Sequence, residues 1–124
     1  MDAKAKVKKY VVQSHRYLRN AARFIDAGDL DKASEFLWGS MAEALKAVAL
    51  SKGRELKHHR EIGNYARELA KQLEDEAIWD VFGNASYLHT NFYEAELTID
   101  EVYAHATRIK TVVGKLLSLI TEES

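Results

Sequence analysis

The side chains able to move a proton near neutral pH are five histidines, His15, His58, His59, His89 and His105. No two of them stand in an HExxH arrangement. His58 and His59 are adjacent, so on a helix their rings point about 100° apart and share one ion poorly. With no cysteine in the chain, a thiolate site is excluded, and neither a metal nor a cofactor is expected. Arg54 and His59 stand five residues apart in the polar stretch SKGRELKHHREIGN. An arginine there would hold phosphate charge and a histidine would transfer protons; the competing reading is a solvated, positively charged loop. The densest collection is LHTNFYEAE, from Leu88 to Glu96. On a helix His89 and Tyr93 share one face, Asn91 and Glu94 share another, and Phe92 continues the apolar stripe of Leu88. His89 and Tyr93 are therefore expected to be buried against the opening helices. Asn91 and Glu94 are expected to reach towards the helix end and the His58–His59 connection. The candidate ligand-binding groove is lined by His58, His59, Asn84, His89, Asn91, Tyr93 and Glu94, with His89, His59 and Arg54 the weak catalytic candidates. A structural cluster that merely holds the long connection down is the alternative.

These side chains must be positioned by helices. Val7, Tyr10, Val11, Ser14, Tyr17, Leu18, Ala21, Phe24 and Ile25 recur at three and four, predicting a helix over about residues 3–27, with Lys9, Arg16 and Arg23 on the opposite side. Gly28 is its stop and Asp29 caps the next helix, about residues 30–51, which Gly53 ends. Those two helices form an antiparallel hairpin. A third helix is predicted over about residues 59–72. A fourth starts near Asp75 and ends around Glu94 to Glu96. The capping box T-I-D-E at Thr98–Glu101 opens a fifth. No strand pattern competes. The predicted fold class is all-α: a single domain over residues 1–124, built as an up-and-down bundle of about five helices, two long antiparallel ones followed by shorter ones.

Composition agrees. The chain has 124 residues, no proline and six glycines, enough for one core without staples. Nothing resembles a signal peptide or a membrane span, so a cytoplasmic protein is expected. Charge is unevenly spread. Residues 1–25 carry seven Lys/Arg against Asp2 alone, whereas residues 76–100 carry five acids and no Lys or Arg. The expected answer is pairing within the protein or its dimer; the rival is nucleic acid, whose binding would weaken steeply with salt. There is no DNA sequence-reading motif. Gly39, Gly63, Gly83 and Gly114 fall inside predicted helices, where each costs about 1 kcal/mol relative to alanine. Close approach of a neighbouring helix or ring would offset that. Trp38 lies beside the stripe of the second helix, and Phe36 lies on a different side again. One helix cannot bury every direction against its own subunit, so both are expected at a homodimer interface.

ASEFLWGSMAEALKA (Ala33 to Ala47) and LHTNFYEAELT (Leu88 to Thr98), following a basic first helix, resemble the archaeal PaREP family, which looks like a branch of the HEPN superfamily; the resemblance covers about residues 15–117. It implies two long antiparallel helices, frequent homodimers, and either ribonucleases of toxin modules carrying R-x4-6-H or inactive binding partners. His89 stands at the histidine position of that motif, but five residues earlier, where the ribonucleases have arginine, stands Asn84. Asparagine supplies no cation to phosphate. The resemblance thus implies a degenerate, non-catalytic module binding a nucleotide, RNA or a protein partner, in a toxin–antitoxin or stress-response setting. The alternatives are a metal-independent ribonuclease, with a histidine base and Arg54, Arg60 or Arg19, and a purely structural interaction partner.

Overall fold

The computed structural model describes residues 2–91 and 97–120, with the side chain of Asn91 outside the description. Five helices follow in order: α1 (Ala3–Asp26), α2 (Leu30–Ser51), α3 (His59–Gln72), α4 (Glu76–Asn91) and α5 (Ile99–Ser118). No strand occurs among the described residues. The all-α bundle and the helix starts match the sequence reading. The expected end of α4 at Glu94 to Glu96 lies outside the described residues.

Helix ends follow from local chemistry. The Asp2 carboxylate accepts from the Ala5 N–H at 2.8 Å, and the Asp29 carboxylate accepts from the Lys32 N–H at 3.3 Å. The Thr98 hydroxyl accepts from the Glu101 N–H at 3.2 Å, the first half of the anticipated capping box. Three C-termini close alike. After α1, α2 and α3 the second residue beyond the helix turns left-handed, and the one after it returns its N–H to a carbonyl in the last turn: Asp29 to Phe24, Arg54 to Ala49 and Asp75 to Ala70, each at 2.9 Å. Gly28 (φ +78°) and Gly53 (φ +84°) occupy the turning position twice; Glu74 (φ +51°) occupies it the third time.

α2 is the axis of the bundle. Its most extensive pairing is with α1, and α3, α4 and α5 also pack on it. Ala33, Ser34, Leu37, Trp38, Ser40, Met41, Ala42, Ala44, Leu45, Ala47, Val48 and Ala49 are all buried, and only a narrow strip through Lys32, Glu35, Glu43 and Lys46 reaches solvent. So wide an apolar and small-residue face belongs inside a core. This leaves the two aromatics expected at an interface with partners inside the subunit. Trp38 is only 8 % exposed within its own subunit. Phe36 stacks on Phe24 at 5.5 Å and tilts against Tyr17 at 5.4 Å. Four neighbouring helices take up directions that a two-helix hairpin would leave open.

The α1–α2 seam is close and partly polar. The Ser14 hydroxyl donates to the Ser40 carbonyl at 2.8 Å, and the Ser40 hydroxyl donates to the Ser14 carbonyl at 2.9 Å. Both serines are fully buried, so each satisfies its hydroxyl across the seam. Beside them Gly39 faces the Tyr17 ring, where an added Cβ would lie 2.8 Å from Cδ2. At Gly63 an added Cβ would sit 3.4 Å from the Phe82 ring. The expected close approach fails at Gly83 and Gly114, where nothing among the described residues lies within 4 Å of an added Cβ. Charge pairing is sparse. Lys6 pairs with Glu55 at 2.6 Å and Lys115 with Asp75, but among the described residues no ion pair joins α1 to residues 76–100.

Alanine substitutions at these glycines should therefore differ in sign. Gly39→Ala must displace the Tyr17 ring and should destabilise by about 1–3 kcal/mol despite better helix propensity. Gly83→Ala and Gly114→Ala should each stabilise by roughly 0.5–1 kcal/mol. Urea unfolding of the three variants checks this; a stabilised Gly39→Ala would refute the close seam. By the same measurement Glu74→Gly should stabilise by about 1 kcal/mol, because it relieves a left-handed residue carrying a Cβ.

Candidate functional site

Three helices bring a histidine pair onto a tryptophan. The α4 stripe Ile78, Phe82, Ala85 and Leu88 is buried and fixes the rotation of that helix. His89, one step past Leu88, consequently sits at the edge of the core, half-buried. The small Gly63 lets α3 close on Phe82, and α3 begins with His59. Both imidazoles then reach Trp38 of α2. His89 stacks on the indole at 5.3 Å between centroids and 21° between planes. His59 meets it edge-on at 5.1 Å and 63°. The two imidazoles lie 5.8 Å apart. Phe82 tilts against Trp38 at 5.4 Å and stacks on Trp79 at 5.9 Å, so the aromatic tier reaches the surface, where Trp79 is 43 % exposed.

Burial sets the electrostatics. The Nδ1 atom of His89 is enclosed and has no hydrogen-bond partner among the described residues. Desolvation foremost, then the neighbouring His59, holds the His89 imidazole below its ordinary value; Glu35 pulls the other way and is outweighed. His89 is thus neutral at pH 7: a flat ring with a proton-accepting nitrogen. At the start of α3 the N-cap residue His58 makes no side-chain capping bond to the first-turn amides beside His59 and Arg60. Such amides favour an anion. No group of three or more metal-ligating side chains occurs among the described residues.

Of the predicted residues, His59 and His89 are brought together. His58 is not: its ring points to solvent, 3.9 Å from Glu61. Arg54 is also elsewhere. Its guanidinium donates to Glu68 at 2.6 Å and lies over the Tyr65 ring at 5.2 Å, because α3 runs back beside the connection that carries it. The Arg54–His59 spacing therefore assembles no joint site. Asn84 is half-buried on α4; five helical residues separate it from His89, about 140° around the axis. Tyr93 and Glu94, with Phe92, lie outside the described residues, as does the side chain of Asn91. Sequence reading missed Trp38 as the centre of the cluster and Phe82 and Trp79 as its extension. The available signal was Trp38 lying one residue off the Leu37 stripe, which allows contact with a second set of helices.

Comparison with known proteins places this architecture. The model of the Archaeal PaREP1/PaREP8 family matches residues 9–113. A crystal structure of a protein from Sulfolobus solfataricus is similar in fold, with a TM-score of 0.77 at 19 % identity over 88 % of this chain and 97 % of that one. No curated protein matches.

The neutral His89 makes stability depend on pH. Its folded-state value lies below the ordinary value of 6.5. The folded state therefore binds fewer protons, and the contribution is complete above about pH 6.5 and is lost as pH falls towards the folded value. His105, lowered by burial and by Arg108, acts in the same direction. Melting temperature should fall from pH 7.5 to 5.5. The dependence should flatten in His89→Phe, which keeps the stack on Trp38, and flatten further with His105→Gln. An unchanged slope in His89→Phe would exclude an enclosed neutral imidazole.

Proposed function

The chain belongs to the archaeal PaREP1/PaREP8 family, and from that premise we propose that it is a HEPN-like module that binds a nucleotide without cleaving it. The observation that carries this reading is the stack of His89 on Trp38 with His59 edge-on beside it. The aromatic tier ending at the exposed Trp79 offers π-faces for a base. The uncapped first turn of α3, with His59 and Arg60, offers donors for a phosphate. Against catalysis stand Asn84 in the place of the motif arginine and Arg54 engaged by Glu68. A ribonuclease is the second reading, favoured by one feature: two imidazoles 5.8 Å apart can serve as acid and base.

Binding is measured with Trp79→Phe, which leaves Trp38 as the single indole. Titration with adenosine mononucleotides should change Trp38 emission with half-saturation below about 1 mM. His59→Ala and His89→Ala should each raise that midpoint at least about tenfold with the fold intact by circular dichroism. No spectral change at tens of millimolar nucleotide would refute the proposal. Cleavage of a single-stranded oligoribonucleotide by the unaltered chain, abolished in both histidine variants, would establish the second reading.

A further inference from the structure

On the other side of α2, α1 and α5 leave a groove of about 480 Å³. Its floor is aliphatic: Leu18, Ala21 and Ile25 of α1, and Leu37 of α2. Tyr103, 64 % exposed, stands on its α5 rim. The walls are net basic. α1 carries seven Lys/Arg against Asp26 at its end, and α5 carries Arg108, Lys110 and Lys115 against Asp100 and Glu101 in its first turn; Lys6 and Lys115 are paired elsewhere. Arg19 and Lys110 line the groove itself, and Asp26 closes one end of it. The acids of residues 76–100 do not neutralise α1 in any ion pair among the described residues.

We propose that this groove docks an acidic amphipathic helix of a partner protein. Two features choose a helix over nucleic acid. An aliphatic floor holds leucine-like anchors but gives nothing to hydrogen-bond phosphates or base edges, whereas helix-in-groove recognition needs such a floor. The α1 lining from Leu18 to Asp26 spans about 12 Å, a little over two helical turns. That length receives anchors at i, i+3 or i+4, and i+7. Charge complementarity supplies the rest: glutamates flanking the anchors meet Arg19 and Lys110, while Asp26 repels an acid at its end and so fixes the direction in which the partner lies. This surface is separate from the histidine–tryptophan cluster and does not depend on the nucleotide reading.

The probe is a synthetic amphipathic helix with leucines at i, i+3, i+4 and i+7 and glutamates elsewhere, fluorescently labelled and titrated with the full chain. Saturable, salt-weakened binding is expected. Arg19→Glu with Lys110→Glu should weaken it at least about tenfold, and Ala22→Trp, at an exposed position of the groove wall, should do so by filling the space. Circular dichroism confirms that both variants fold. The proposal is overturned if no saturable binding occurs, if a scrambled peptide of equal composition binds as well, or if the charge reversals have no effect. It is also overturned if an oligouridylate displaces the peptide, which would assign the groove to RNA.

Discussion

How closely α1 can approach α2 governs the rest of the bundle. Two buried serines exchange hydroxyl-to-carbonyl bonds across the seam, and a glycine makes room for the Tyr17 ring. Each device is small, and smallness is the point. A larger side chain at Ser14, Ser40 or Gly39 would push the helices apart, and buried hydroxyls without these carbonyls would lack the seam contacts that satisfy them. Because the seam is narrow, α2 keeps its remaining directions for α3, α4 and α5. A helix packed by several neighbours needs small or apolar residues on each side that meets one, which its alanines provide.

The histidine–tryptophan cluster inherits its geometry from that arrangement. Trp38 is held in place by the burial of α2, and α4 is rotated by its own stripe. His89 therefore meets the indole face without any polar group to orient its Nδ1. An imidazole so placed is favoured in its neutral form, since the same apolar wall that stacks the ring also excludes water from it. His59 arrives from a helix start whose N-cap side chain makes no capping bond. The cluster thus combines flat apolar surface, weak bases and backbone donors within one small region.

Much of this was legible in the sequence. Regular three-and-four spacing, the absence of proline, and the signals at Gly28, Asp29, Gly53 and Thr98 were enough to set the helices, because each is a local rule. His59 and His89 were legible as candidates for their chemistry, and the stripe through Leu88 placed His89 beside the core. What escaped depends on neighbours. Periodicity tells which way Trp38 and Phe36 point around α2, but not that another helix waits there. The seven-residue connection from Lys52 to His58 lets α3 start near Trp38 and fold back beside Arg54, so five residues of spacing between Arg54 and His59 became a separation. Gly83 and Gly114 show the converse error, since a glycine in a helix need not mark a contact.

Leu37 and Trp38 are consecutive residues of α2 that point about 100° apart: the first floors the groove between α1 and α5, and the second meets the histidine pair. In a tightly packed helix neighbours do not shift independently. An occupant that displaced α2 on one side would therefore also move the other, through a single peptide unit. Any such influence would be equal in both directions.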